Sequence, residues 1–449
     1  MCEIEAKLGV SPVPTEICIG DDADVFADGV RAWARRNKRQ DIYPEPLPVA
    51  IDDPVSDQPK RKSKDCSGDQ VHIPGQYEPC VGGGSDNWLD PHGRHTGGLH
   101  PWRPAKPNSY MMDIVKHCND VGANCVAYKT RAVKFDVDVS LAGGERSVRH
   151  LVIEDCHGDQ VKRRKVRAKK YVLAAGANAS THILMATPYV NRIQGLGSRF
   201  TGNVGSPITA IFGKPVRKEN SHRPFPGIAQ CVMVEGDEDA GRPILENWFG
   251  LPGMVALSSG GWFGESAKVM TNYRNLAISG FVVPTAVRQE NKIDRKGVPN
   301  LSLSDDEFKV YINGFRFVCE IFLEAARERN DTVELIFPTK GIMLDEANQQ
   351  IRVTDYESLE RAIGYISHKD RRMAFLTTIT SHPQGGNPLG VVVNQDTFRV
   401  KTTDNLYVAD ASIFPAPCKI NPQLTLKALA HCAADQLIAD LQEEPTQTL

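Results

Sequence analysis

The sequence predicts a protein of the α/β class, with α+β character in its middle part, and two strand-to-helix segments carry that prediction. Residues 171–175 form a short apolar run that turns at Gly176, and a helix follows from Ser180. Residues 406–409 form a second apolar run, which is long enough for a buried strand. This run ends at Asp410, and open α/β sheets bind ligands at the carboxyl ends of their strands. Both strand ends are therefore candidate ligand-binding positions.

A different pattern occupies the residues between these two segments. Strand-like runs come before one long predicted helix, at 208–212, 228–234 and 276–283. The helix is predicted over residues 305–327, and Ser304 and Glu307 have the spacing of a capping box at its start. Strands followed by a helix favour a second structural unit in the middle of the chain.

Composition excludes several classes of function. The 449 residues have room for two domains, or for one large domain with an insertion, and a net charge of −2 argues against a nucleic-acid partner. The sequence shows neither the pattern of a signal peptide nor an apolar run of transmembrane length. The eleven cysteines have no Cys-x-x-Cys spacing. We therefore expect an intracellular, cytoplasmic protein with reduced thiols, no metal site and no integral membrane segment.

Three linked segments near the C-terminus hold the candidate reactive groups. His382 opens a turn that contains Pro383, Gly385 and Gly386, where the backbone can approach another group closely. The strand that ends in Asp410 follows. Asn421-Pro422 then predicts the start of a helix, because asparagine is a good N-cap and proline suits the first turn. A helix N-terminus favours partial negative charge in its neighbourhood.

These segments resemble the C-terminal signature of the glucose-methanol-choline (GMC) oxidoreductases, which are flavoenzymes. The order of a His-Pro-x-Gly-Gly turn, a strand ending in Asp and an Asn-Pro-x-x-Thr segment is most similar to the branch that contains cholesterol oxidase. The resemblance places His382 and Asn421 at the two active-site positions of the family. It implies FAD as the cofactor.

The resemblance also implies a set of cofactor-binding residues. The segment from Gly82 to Trp88 resembles the family's glycine-rich stretch that passes the flavin, and residues 174–177 resemble its Ala-Gly-Ala turn. The implied cofactor-binding residues are Gly82, Gly83, Gly84, Ser85, Asn87, Ala175, Gly176, Asp410, Ala411, Pro422, Gln423 and Thr425. Structural alternatives stay open for each motif: a tight loop at 82–84, a packing turn at 175–176, a strand-end cap at Asp410 and a turn histidine at position 382.

The domain organisation implied by the resemblance divides the chain into three parts. Residues 80–206 and 376–449 form a doubly wound FAD-binding domain, and residues 207–375 form an inserted substrate-binding domain on an antiparallel sheet. Residues 1–79, rich in proline and charge between 41 and 64, are expected to be a poorly ordered or atypical segment. The Gly-x-Gly-x-x-Gly turn that holds the dinucleotide phosphates in this family is missing from the sequence.

The implied reaction is the oxidation of a CH–OH group of a small-molecule alcohol to a carbonyl, by hydride transfer to flavin. An imidazole titrates near neutral pH, so His382 would serve as general base. Asn421 would hydrogen-bond the substrate oxygen, and the helix that follows would favour an anionic reduced flavin. Two alternatives remain: a truncated, non-catalytic family remnant that cannot hold FAD, and non-redox chemistry of the kind that the family's hydroxynitrile lyases perform.

Overall fold

A computed structural model describes two thirds of the chain, including nearly all residues from 264 onward. The described residues are 10–12, 21–46, 48–50, 117–118, 120–122, 127, 129–138, 146–156, 161–216, 232–237, 241–248, 255, 264–368, 376 and 378–443.

The strands, in chain order, are β1 (Val10–Pro12), β2 (Glu45–Pro46), β3 (Pro48–Ala50), β4 (Thr130–Val137), β5 (Val148–Asp155), β6 (Lys162–Val166), β7 (Tyr171–Leu173), β8 (Asn203–Phe212), β9 (Val232–Val234), β10 (Ile244–Asn247), β11 (Leu276–Pro284), β12 (Lys292–Ile293), β13 (Pro299–Asn300), β14 (Val333–Ile336) and β15 (Leu406–Val408). The α-helices are α1 (Asp21–Arg36), α2 (Ala177–Met185), α3 (Gly264–Thr271), α4 (Asp305–Glu328), α5 (Tyr356–Ser367) and α6 (Gln423–Glu443).

The largest sheet has six strands in the order β14-β8-β11-β10-β9-β2, and every neighbouring pair is antiparallel. Its centre is the β8–β11 pair, whose register runs from Asn203 opposite Pro284 to Ile211 opposite Leu276. All residues of β8 are buried, because both faces of this strand are covered. The sheet corresponds to the antiparallel sheet expected for the substrate-binding domain.

Helix α4 covers one face of this sheet and supplies Phe308, Tyr311, Phe315 and Phe322 to its aromatic core. Its first turn carries the predicted capping box: the Ser304 hydroxyl accepts the Glu307 N–H at 3.1 Å, and the Glu307 carboxylate accepts the Ser304 N–H at 2.6 Å. The Phe281 ring of β11 meets the rings of Tyr311 and Phe315 edge to face, with centroids 5.0 Å apart in both pairs. Such pairs contribute about 0.5–1.5 kcal/mol each beyond area burial.

Helix α1 packs along α4 and places part of the N-terminal segment in the same core. The two helices approach so closely at Gly29 that a Cβ there would overlap the carbonyl oxygen of Ile321. The Trp33 indole N–H donates to the Glu320 carboxylate at 2.6 Å, and Arg36 pairs with Glu324. Residues 21–36 are therefore an ordered part of the core between the six-stranded sheet and α4, whereas the sequence placed the whole of 1–79 in a poorly ordered or atypical segment.

A smaller α/β unit forms around β7 and β15, which pair in parallel. It contacts the three-stranded sheet β4-β5-β6 through Asn405, whose side chain accepts the Val148 N–H at 2.8 Å and donates to the Val148 carbonyl at 3.0 Å. A parallel pair with helices after both strands agrees with the predicted doubly wound domain. Within the described ranges β7 pairs with β15 alone, and Val172 in its centre is 48% exposed.

Cysteine chemistry departs from the prediction in one place. Cys118 is disulfide-bonded, whereas the sequence predicted reduced thiols throughout. Cys156, Cys319, Cys418 and Cys432 are free, as predicted. In the described part of the chain no helix has the length and apolar character needed to cross a membrane, and no group of His, Cys, Asp or Glu side chains has the arrangement of a metal site.

Candidate active site

Asp410 connects the ends of the two parallel strands. Its carboxylate accepts the Gly176 N–H at 3.0 Å and the Ser412 N–H at 2.8 Å, and the Ser180 hydroxyl donates to it as well. The Ser180 hydroxyl also accepts the Ala175 N–H at 3.0 Å. Asp410 is 5% exposed, so these contacts satisfy a buried charge. The structure thus brings Ala175, Gly176 and Asp410 together, and the Asp410 carboxylate itself holds the two turns in place.

The turn at Gly176 leaves room for a ligand at the start of α2. Gly176 has φ of 85°, and a Cβ built there would meet no atom within 4 Å among the described residues. The neighbouring Ala411, at the end of β15, is partly exposed. The described residues therefore leave space beside Gly176 at the start of α2, and the approach of a cofactor to 175–176 stays a prediction.

The two glycines after His382 serve the packing of the chain. Gly385 and Gly386 have φ of 79° and 106°, which favours glycine. A Cβ at Gly385 would overlap the Arg199 carbonyl, and a Cβ at Gly386 would overlap the Thr181 hydroxyl. The sequence predicted a close approach at this turn, and the groups that approach are the backbone before β8 at Gly385 and the Thr181 side chain of α2 at Gly386.

His382 presents a buried nitrogen without a partner. The imidazole is half-buried, and its Nδ1 atom has no hydrogen-bond partner among the described residues. Burial lowers the pKa of His382 below the ordinary value of 6.5, so the neutral ring is favoured. A neutral imidazole with an unsatisfied nitrogen is suited to accept a proton. The main-chain N–H of His382 donates to the Thr380 hydroxyl at 3.2 Å.

Asn421 presents a second unsatisfied atom. Its Oδ1 atom is buried and has no hydrogen-bond partner within the described ranges. The predicted role of Asn421 as a helix N-cap is wrong: α6 begins at Gln423, the Pro422 carbonyl accepts the first helical N–H from Leu426 at 2.8 Å, and Asn421 Oδ1 caps no backbone group of the described chain. The asparagine side chain is therefore left for another partner.

The remaining predicted residues at this helix start have different surroundings. Pro422 is buried, Gln423 is exposed, and the Thr425 hydroxyl lies 3.8 Å from the Cys418 sulfur. All three lie in the loop and first turn next to Asn421.

Two residues that sequence reasoning missed hold the reactive segments in place. Gln384 accepts the Cys418 N–H at 2.8 Å and donates to the His382 carbonyl at 3.3 Å. Asn203, at the start of β8, donates to the Ile420 carbonyl at 3.1 Å. Both amides are buried. Their one signal in the sequence is a polar residue inside a glycine-rich turn, which does not reveal the distant partner.

The His382 and Asn421 segments both lie in the part of the chain that matches a known family. Residues 289–430 match the family model described as GMC oxidoreductase. This match makes residues 289–430, less than half of the chain, similar to the GMC oxidoreductases. No curated protein sequence matches the chain.

Among solved structures, the chain resembles a variant formate oxidase of Aspergillus oryzae RIB40 that was studied for FAD modification. The TM-score is 0.47 and the sequence identity 13%, over 70% of this chain and 60% of the formate oxidase chain. This chain thus spans less than two thirds of the length of that structure.

The cofactor of GMC oxidoreductases is FAD, and the described residues fit its reactive end. Four buried polar atoms without partners in the described chain lie at the start of β8 and on the two reactive segments: Thr201 Oγ1, Asn203 Oδ1, His382 Nδ1 and Asn421 Oδ1. Unsatisfied buried polar atoms carry a cost that a ligand removes. The phosphate end of FAD has no Gly-x-Gly-x-x-Gly turn to meet it in this sequence. The predicted residues Gly82, Gly83, Gly84, Ser85 and Asn87 lie outside the described residues.

Proposed function

We propose that this protein is an FAD-dependent oxidoreductase that oxidises the CH–OH group of a small-molecule alcohol to a carbonyl. One observation carries the proposal. His382 Nδ1 and Asn421 Oδ1 are both buried, both lack partners among the described residues, and both lie on segments fixed to the Thr201–Asn203 region. A proton acceptor and a polar group that orients the substrate are the two groups that this oxidation requires of the protein.

Each protein group has a defined part in the reaction. FAD, when bound, supplies the acceptor for the hydride that leaves the carbinol carbon. The neutral His382 imidazole takes the hydroxyl proton, so the alcohol loses two electrons and two hydrogens in total. Asn421 hydrogen-bonds the substrate oxygen and fixes which hydrogen faces the acceptor. The N-terminus of α6 favours negative charge that develops beside it.

The proposed cofactor contacts divide into two groups. The first group is the turns at Ala175, Gly176 and Ala411, which Asp410 holds in place. The second group is the start of α6, with Pro422, Gln423 and Thr425. We assign Gly82, Gly83, Gly84, Ser85 and Asn87 to the same cofactor from the sequence pattern alone.

A second candidate function follows from the missing phosphate turn. A chain without that turn loses contacts to the FAD pyrophosphate, and among the described strands β7 has no neighbour besides β15, with Val172 exposed. In that case the chain is a family remnant without flavin and without catalysis. Such a protein is expected to aggregate, because apolar strand surface is left uncovered.

The visible absorption spectrum of the purified protein separates the two. The spectrum is measured after gel filtration, with and without prior addition of FAD. We expect a flavin spectrum that elutes with the protein. Protein that carries no flavin under either condition contradicts the proposal and supports the remnant.

Anaerobic mixing with primary and secondary alcohols then tests the reaction itself. We expect bleaching of the flavin absorbance, and a rate about 10²–10⁴-fold lower for His382→Ala, since general base catalysis contributes that much. His150→Ala, on β5, is the matched control and is expected to keep the full rate. Retained flavin that no alcohol bleaches favours the non-redox alternative.

A further inference from the structure

Gln384 connects the two segments that carry the proposed reactive groups. Its side chain is fully buried, with 0% exposure. One end of the carboxamide donates to the carbonyl of His382 at 3.3 Å, and the other accepts the N–H of Cys418 at 2.8 Å. A single side chain therefore spans from the turn of His382 to the loop that leads into Asn421.

The two contacts fix the orientation of the amide. A carboxamide has one acceptor end and one donor end, and the partners here are one N–H and one carbonyl. Reversing the amide would place donor against donor and acceptor against acceptor in a buried site. Both hydrogen bonds of the amide are needed to satisfy it. A shift of either segment would therefore leave a buried polar group unsatisfied, which costs about 1–3 kcal/mol.

The main chain of Gln384 is anchored as firmly as its side chain. Its N–H donates to the Thr201 carbonyl at 2.8 Å, and its carbonyl accepts the Thr201 N–H at 2.8 Å. Thr201 lies two residues before Asn203, which begins β8 and holds the Ile420 carbonyl at 3.1 Å. The amide is thus held in place relative to β8, the long central strand of the six-stranded sheet.

We propose that Gln384 is a positioning residue, which holds the His382 turn against the loop of Asn421 and so sets the geometry in which a substrate hydroxyl meets both. This inference rests on the proposed function for its catalytic consequence. The linkage itself is a property of the protein alone. Asn203 is the informative comparison, because its side chain holds the Asn421 side and, within the described ranges, bonds no atom of the His382 turn.

Gln384→Met and Gln384→Asn test the linkage. Methionine keeps the volume and removes both hydrogen bonds. Asparagine keeps the polar amide but is one methylene too short to reach both partners, so it serves as the variant of choice if the apolar one unfolds. Gln436→Met, in α6, is the matched control, because among the described residues that side chain bonds only Asp440 in the same helix.

The first readout is the pKa of the His382 ring, measured by NMR on the full-length protein and independent of turnover. Burial lowers this pKa in the native protein. With the turn released, we expect water to reach the ring and the pKa to rise toward 6.5 in both Gln384 variants, and to stay unchanged in Gln436→Met and Asn203→Ala. An unchanged His382 pKa in both Gln384 variants overturns the proposal.

The second readout is the rate of flavin reduction at saturating alcohol. A displacement of about 1 Å at a reacting group costs up to 10²-fold, so we expect the limiting rate to fall about 10–100-fold in Gln384→Met while the retained flavin absorbance is unchanged. A wild-type rate in this variant also overturns the proposal. If the native protein reduces no flavin, the proposed function fails, and the pKa measurement still decides the linkage.

Discussion

The core between the six-stranded sheet and α4 and the candidate active site are held together by different kinds of contact. In the core, the rings of Phe281, Tyr311 and Phe315 are fully buried and contact one another edge to face. In the site, glycines with positive φ bring backbone segments together, and buried amide, hydroxyl and imidazole atoms lack partners in the described chain. Apolar area removed from water stabilises the first region, and hydrogen bonds between loops shape the second.

This difference indicates how a substitution in each region affects the stability and the activity of the protein. A residue that only packs contributes to the free energy of unfolding and leaves the chemistry intact. A buried polar atom whose partner is a ligand lowers the free energy of unfolding when the ligand is absent, and it serves the function of the protein. Substitutions in the two regions are therefore expected to move different observables.

The largest expected effect on stability comes from the core. Phe315→Ala removes a fully buried ring from the contact between α4 and β11. Substitutions of this kind lower the free energy of unfolding by about 3–5 kcal/mol. Chemical denaturation measures the loss, with Val298→Ala as the exposed control, expected within about 0.5 kcal/mol of wild type. A small change for Phe315→Ala would show that the aromatic cluster does not stabilise the domain.

Asn421→Leu is expected to affect the reaction and not the fold. The limiting rate of flavin reduction should fall about 10²-fold, as for the loss of one polar contact to a reacting oxygen. The free energy of unfolding should stay level or rise, because the native Oδ1 atom is buried without a partner in the described chain. A large loss of stability with an unchanged rate would assign Asn421 to the structure of the loop.

Gly385→Ala tests whether the glycines of the His382 turn are needed for its packing against the backbone before β8. An alanine there must adopt φ near 79° and overlaps the Arg199 carbonyl, so we expect a loss of about 1–3 kcal/mol in the free energy of unfolding. Gly364→Ala is the opposite case. That glycine lies in α5 with no atom of the described chain within 4 Å of an added Cβ, and alanine should stabilise the helix by about 0.5–1 kcal/mol.

The smallest expected effect is a shift in pH dependence. Burial lowers the pKa of His382, so the acidic limb of kcat/KM should lie below pH 6.5. The unfolded chain binds this proton first as the pH falls. The contribution of His382 to the free energy of unfolding is therefore fully present above pH 6.5, and it is lost as the pH drops through the pKa of His382 in the native protein. His382→Gln should remove that part of the pH dependence, and an acidic limb above 6.5 would contradict the assignment.

The sequence predicted what local pattern determines and missed what distant contacts determine. The capping box of Ser304 and Glu307, the strand before Asp410 and the turn of His382 all depend on residues close in sequence. The amide of Gln384 could not be predicted, because its partner Cys418 is 34 positions away. The N-cap prediction for Asn421 was wrong for a related reason: propensity favours asparagine there, but the helix begins two residues later.

The packing of α1 on α4 has a consequence for synthesis. Trp33 and Glu320 are 287 positions apart, so at about 5–20 residues per second the ribosome needs about 15–60 s after completing α1 to deliver its partner. During that interval the apolar side of α1, including Phe26, has no native surface to cover it. Assembly of the core thus joins the first described helix to one that is made hundreds of residues later, and α1 has to stay soluble until α4 is available.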